Sequence, residues 1–177
     1  NIAVNVNGLF EGITKYYHES GELKATINYV NGVKEGKILR YYKSGEISEM
    51  SIYNNGILEG KAIGYYEDGI ISYEVNYVDG VGEGEQVFYY PSGKIRGINN
   101  LSNSKVEGQQ NAFYESGELE QIRNFKNDMQ EGESLSYYKS GNLKTTLNYI
   151  NNLAQGQLIR FHESGEVFFE ANYIDDL

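Results

Sequence analysis

The chain has 177 residues, with 15 Lys and Arg against 25 Asp and Glu, so its formal net charge is −10. That acidity argues against a nucleic-acid binder, which needs a basic footprint. The chain has no Cys, which excludes disulfide frameworks, thiolate metal sites and Cys nucleophiles, and no apolar run approaches the roughly 18 residues of a spanning helix.

Read from the start, residues 1–11 are a partial repeat, and seven repeats run from 12 to 177. Gly12, Gly36, Gly60, Gly84, Gly108, Gly132 and Gly156 each follow Glu or Gln, at a constant spacing of 24. Gly21, Gly45, Gly69, Gly93, Gly117, Gly141 and Gly165 each follow Ser or Asp, at the same spacing. Two ladders with one period and no insertion are the signature of a repeat architecture. A third ladder, Gly8, Gly32, Gly56 and Gly80, continues as Ser104, Asp128 and Asn152, which are all turn-tolerant residues.

Within each repeat the order is strand, tight turn, strand, looser turn. Segments of about eight residues between glycines suit strands and are too short for helices. Such short connections demand antiparallel neighbours, so each repeat is a hairpin and successive hairpins form a meander. The tight turn reads Glu19-Ser20-Gly21, Lys43-Ser44-Gly45, Glu67-Asp68-Gly69 and, in one copy, Pro91-Ser92-Gly93. Pro at the first central position and Gly in a left-handed conformation predict a three-residue loop with a G1 bulge. The aromatic column Tyr17, Tyr41, Tyr65, Tyr89, Phe113, Tyr137, Phe161 then pairs with the aliphatic column Leu23, Ile47, Ile71, Ile95, Leu119, Leu143, Val167.

Alternation predicts two unlike faces. Tyr17, Leu23, Ala25, Ile27, Tyr29 and their equivalents form an apolar face. Glu22, Lys24, Thr26 and Asn28 equivalents form a polar face, which also carries the row Tyr42, Tyr66, Tyr90, Tyr114 and Tyr138. The fold class expected is all-β: an elongated single-layer antiparallel meander of about seven 24-residue β-hairpin repeats, in one domain. At about 4.8 Å per strand the sheet would be on the order of 65–70 Å long.

The unit E-G-x-x-x-x-Y-Y-x-S-G-x-(Leu/Ile)-x-x-x-x-x-Y-x-(Asn/Asp)-G, clear in Glu35-Gly36, Tyr41-Tyr42, Ser44-Gly45, Ile47 and Tyr53, resembles the MORN-variant repeat. The resemblance runs from Gly12 to about Tyr173. Its tandem form is similar to bacterial proteins described as YwqK-type antitoxin components. It implies an extended hairpin array used for binding, with a protein partner to neutralise and no active site. Eukaryotic MORN repeats are associated with phospholipids. Glu11, Glu35, Glu59, Glu83, Glu107 and Glu131 line one edge with acid, which disfavours a membrane-lipid partner.

Candidate chemistry is sparse. His18 and His162 share one repeat position six periods apart, roughly 58 Å in an open array, and read as Tyr substitutes. The Ser before each Gly is a turn residue, replaced once by Asp68. The Glu column reads as a solvated ladder, and the close Asp pair that a calcium site would want is seen only as Asp175-Asp176, at the end of the chain. No catalytic residue, cofactor or metal ligand is expected. The Tyr row is the partner-binding candidate, and its plainer reading is rings that cover the hairpin.

Between Arg96 and Ala112 the apolar positions hold Gly97, Asn99, Gln109 and Asn111, with Ser104 in place of the turn Gly. This stretch reads as a local relaxation, or as a bend or contact point. The leading expectation is a non-enzymatic scaffold for a basic protein partner. The alternative is a cell-surface module for glycans or host proteins. Self-association through a sheet edge or the apolar face remains open. The first residue is Asn1 rather than Met, so a fragment or processed form is expected, with the compartment open between bacterial cytoplasm and cell surface.

Overall fold

The computed structural model describes residues 4–6 and 8–174 and is all-β, with no helix among them. The described residues form two compact units. One comprises residues up to Glu83 with Pro91–Gly93, the other Gly84–Tyr90 with Lys94 onward. Each unit is an antiparallel meander of β-hairpins.

In the first unit the hairpins include Leu9–Tyr17 with Leu23–Val30, Gly36–Tyr41 with Ile47–Asn54, and Gly60–Tyr65 with Ile71–Val78. In the second they include Gly108–Phe113 with Leu119–Lys126, Gly132–Tyr137 with Leu143–Ile150, and Leu153–Phe161 with Val167–Tyr173.

The first turn has the expected form. His18 N–H donates to Glu22 O at 2.8 Å and Gly21 N–H donates to His18 O at 3.0 Å. Gly21 has φ 101°, a left-handed conformation that only Gly adopts without cost. Tyr17 pairs with Leu23, Tyr41 with Ile47, Phe113 with Leu119 and Phe161 with Val167, each across a register shift. One residue of the second strand, Lys24 in the first hairpin, is the extra residue of this bulge.

The second turn is tighter than its expected "looser" form. Val30 pairs with Val33 around two residues, Asn31 at φ 50° and Gly32 at φ 78°. Positive φ at both central positions marks a type I′ turn, whose twist matches the flanking strands. Beyond it, Tyr29 pairs with Lys34 and Thr26 with Leu39. That is five steps on one strand against three on the other, so Glu35-Gly36 forms a second bulge.

The one-residue bulge at the tight turn overturns the predicted division of faces. Tyr16, not Tyr17, lies with Ala25 and Tyr29: the Tyr16 and Tyr29 hydroxyls are 3.1 Å apart. The Tyr41 hydroxyl lies 3.5 Å from Thr26 Oγ1, on the opposite face, which Leu39 shares through its pairing with Thr26. The Tyr42-type row moves the other way. Tyr138 lines one cavity with Ser136, Lys144, Thr145 and Arg160, on the face of Ala25 equivalents. Parity counted across the hairpin fails because Lys24 adds a single residue to one strand, while the two residues added at Glu35-Gly36 leave parity unchanged.

Both faces therefore carry apolar residues. One holds Ile38, Ala62, Val75 and Leu158, each 5% exposed or less. The face expected to be polar holds Leu39, Met50, Ile63, Val87, Ile98, Ile122, Leu135 and Ile159, with Met50 paired to Leu39 and Ile98 to Val87. The first face in turn buries Thr14, Ser51, Asn99 and Ser134. Gln109 and Asn111, expected beside Gly97 and Asn99, face the other way; Gln110 and Ala112 take those places.

Candidate functional site

The Tyr row occupies the end of each hairpin, one residue before the three-residue loop. In the first unit Tyr42 donates its phenol proton to the backbone carbonyl of Tyr65, at 2.5 Å. In the second, Tyr90 donates to Phe113 O at 2.8 Å, Tyr114 to Tyr137 O at 2.8 Å and Tyr138 to Phe161 O at 2.7 Å. Each phenol thus reaches 23 residues on, to the next hairpin. Tyr66 also has an interaction of its own. All five rings are half-buried. The hydroxyls are committed to the fold, and the exposed part of each ring is what the surface offers.

Cations lie on two of these rings. Lys139 Nζ is 5.5 Å from the centroid of Tyr114, and Lys144 Nζ is 5.5 Å from that of Tyr138. Ring faces of this kind attract cations electrostatically. Burial leads the effects that push the Tyr114 phenol above its usual pKa, and Glu120 is the next cause.

The opposite edge is built from the Glu column. Glu11, Glu35, Glu59, Glu107 and Glu131 each accept, through Oε2, the backbone N–H of the first residue of the next type I′ turn. The acceptor distances from Asn31, Asn55, Asp79 and Asn127 are 2.8 Å, and that from Asn151 is 2.9 Å. The carboxylates are structural caps rather than a freely solvated ladder. The sequence carried a signal for this: a Glu and an Asn or Asp recur 20 residues apart in six of the seven repeats, Gln155 replacing the Glu in the last.

The second turn position is explained by its roof. A Cβ on Gly56 would lie 3.0 Å from Val33 Cγ1, and one on Gly32 would lie 3.1 Å from Leu9 Cδ2. Where the preceding repeat has unbranched Lys105 or Met129 instead, the turn carries Asp128 or Asn152. Those side chains accept from Val106 N–H at 2.7 Å and Gln130 N–H at 2.6 Å.

The Ser before Gly behaves as a turn residue. The Ser20 hydroxyl holds the half-buried Glu22 carboxyl below its usual pKa, and Ser116 does the same for the exposed Glu118. Asp68 serves the same turn by accepting Ile70 N–H at 3.1 Å. His18 lies in the first unit with its Nε2 buried and unpartnered, and His162 stacks on Phe168 at 4.6 Å in the second. Among the described residues no three His, Asp or Glu side chains are placed to hold a metal. Asp175-Asp176 lies outside the described residues.

A family model described as "MORN repeat variant" matches residues 10–31, 34–55, 58–79, 82–103, 106–127 and 130–151, which is most of the chain. No curated protein matches the sequence. Among solved structures, "Crystal structure of GtfA/B complex bound to UDP and GlcNAc" aligns at 8% identity with a TM-score of 0.24. That alignment covers 71% of this chain and 22% of the other, so this chain spans about a fifth of its length. A likeness that weak supports no argument about fold or function.

Proposed function

Since the chain belongs to the MORN repeat variant family, whose repeats form a non-enzymatic scaffold generally used to bind proteins or membranes, we propose that it binds a basic protein partner through the half-exposed Tyr row. Neutralisation of that partner, as an antitoxin-like component would do, is the specific form of this reading. The observation that carries it is the clamping of Tyr90, Tyr114 and Tyr138 by their own hydroxyls. A ring already fixed loses little entropy when a partner covers it. Lys139 and Lys144 occupy the positions that a partner's Lys or Arg would take over these rings. Tyr42 and Tyr66 offer the same chemistry in the first unit. The net charge of −10 would steer a basic protein toward the surface at low salt.

The test is affinity capture with the purified chain, followed by titration of the captured protein against wild type and the triple variant Tyr90, Tyr114, Tyr138→Ser, with circular dichroism to check the fold. A stoichiometric basic partner, weakened by salt and by the variant, supports the reading. Unchanged affinity of the folded variant removes the Tyr row from it. Capture on phosphatidic acid vesicles with no protein partner replaces it with a lipid role.

A further inference from the structure

The polar stretch within Ile95–Ser102 and Gly108–Phe113 surrounds a cavity of about 370 Å³ that lies wholly in the second unit. Its origin is a missing side chain. Gly97 pairs with Phe88 on one side and Ala112 on the other, so the pleat there is bare between two strands. A Cβ at Gly97 would stand 3.2 Å from Asn111 O, which keeps the position open.

The floor is a hydrogen-bonded amide chain. Asn99, 8% exposed, donates to Gln86 Oε1 at 3.2 Å and accepts from Gln110 Nε2 at 2.6 Å. The chain ends unfinished, because Gln110 Oε1 is buried without a partner. Such an acceptor is costly unless a donor reaches it.

The rim is cationic in an acidic protein. Arg96 and Arg123 both line the cavity. The Arg96 guanidinium is held 5.6 Å from the centroid of Phe88. Neither Arg has a carboxylate partner among the described residues, whereas Arg40, at Phe88's repeat position, is neutralised by Glu49 at 3.4 Å. Guanidinium groups present planar paired donors that match a carboxylate.

We propose that this cavity is a binding site for an acidic sugar, a uronate whose carboxylate meets Arg96 and Arg123 and whose ring hydroxyls donate to Gln110 Oε1. A bare pleat with an amide floor suits a flat, hydroxylated ring. The requirement for both an anion and neutral donors separates a uronate from a simple anion and from a neutral sugar. The site is independent of the Tyr row and of any protein partner, so either reading can fail without the other.

The test is titration of the whole chain, followed by ¹⁵N-resolved NMR, with trigalacturonate, uncharged galactotriose, acetate, inorganic phosphate and an Asp-rich hexapeptide. Trigalacturonate should shift the Gly97, Asn99 and Gln110 signals. The exposed-site variant Arg96→Gln should weaken that binding roughly ten-fold, as loss of a charge-assisted contact does. Arg123→Gln should do the same, and Arg96→Gln stands alone where Arg123→Gln disturbs the sheet. Lys61→Gln, in the first unit, should change nothing. Absence of binding at millimolar trigalacturonate overturns the proposal. Equal binding of galactotriose, acetate or phosphate overturns it too, as does tighter binding of the hexapeptide or an Arg96→Gln variant of unchanged affinity.

Discussion

The phenol of Tyr114 donates to the backbone carbonyl of Tyr137 at 2.8 Å, one hairpin further along the chain. A bond of this kind recurs at Tyr42, Tyr90 and Tyr138, so each of these four turns is fastened to the strand end of its successor. In a repeat array, stability is close to a sum of such neighbour terms. Tyr114→Phe keeps the ring and removes only the donor. It should cost about 1 kcal/mol, the net value of a typical hydrogen bond. Hydrogen exchange should quicken at the turns following Tyr114 and Tyr137 and remain unchanged in the first unit. Unaltered exchange at both turns would mean that the ring, not the hydroxyl, holds the junction.

Glu107 performs the corresponding task at the other edge, where its Oε2 accepts Asn127 N–H at 2.8 Å. Glu107→Ala leaves the type I′ turn without its cap and should cost about 0.5–1.5 kcal/mol. Glu107→Gln retains an acceptor oxygen and should cost less. The pair can be ranked by urea midpoint. If Gln is as damaging as Ala, the charge rather than the hydrogen bond fixes this edge.

Much of this fold is legible in the sequence. The 24-residue period and the Ser-Gly turns gave the pairing of Tyr17 with Leu23 and its equivalents directly, because a Gly in a three-residue loop fixes register. The faces were not legible. Lys24 is a single inserted residue, and an odd insertion on one strand reverses parity for everything counted across the hairpin, whereas the two residues of the Glu35-Gly36 bulge leave it unchanged. The Tyr row was visible as a column, but its commitment to carbonyls 23 residues away depends on how far a phenol reaches, which no spacing rule states. The cavity at Gly97 was visible only as a departure from pattern. Its meaning depends on Arg96 and Arg123 remaining unpaired, and that is a property of the folded surface.

Gly64 supplies a steric test. It has no positive φ, so its role is space: a Cβ there would lie 2.1 Å from Tyr73 Cε1, because the Tyr73 ring lies across the bare pleat of its paired residue. An aromatic ring covering a cross-strand glycine compensates for the missing side chain. Gly64→Ala must displace the ring and strain the Tyr73 to Glu49 hydrogen bond at 3.3 Å. A loss of about 1–3 kcal/mol is expected, as for other overpacked sites. A variant as stable as wild type would show that the ring has a second, equally good seat.

The same ring dictates an alkaline limit. Burial, followed by the nearby Glu49 carboxylate, pushes the Tyr73 phenol from 10.0 up to about 12. Burial and the Tyr16 hydroxyl raise Tyr29 to about 12. A raised folded pKa means the neutral phenol is favoured by the fold, so this stabilisation is complete below pH 10 and is lost as pH rises from 10 to 12. The melting temperature should fall across that interval. Tyr73→Phe, which has no proton to lose, should flatten part of the fall. Absorbance titration of the phenols against the melting curve checks the assignment, and a fall complete below pH 10 would contradict it.

Asn111 is where the sequence departs from its own pattern at a cost. Its repeat position carries Leu39, Ile63, Val87, Leu135 and Ile159 in five of the other six repeats and Lys15 in the first, and its neighbours across the strands are Ile98 and Ile122. Its Oδ1 is buried without a partner among these aliphatic groups. An unmet acceptor costs about 1–3 kcal/mol, and an apolar replacement removes that penalty while adding buried area. Asn111→Leu should therefore stabilise the second unit by about 1–2 kcal/mol. The readout is the urea midpoint together with slower exchange at Ile98 and Ile122. Asn111 borders the cavity through its backbone carbonyl, 3.2 Å from where a Gly97 Cβ would stand, while its side chain points to the other face, so the variant alters that face and not the lining groups of the cavity. A destabilised variant would mean that the Asn111 amide is engaged, and that this face of the sheet is held by more than its aliphatic row.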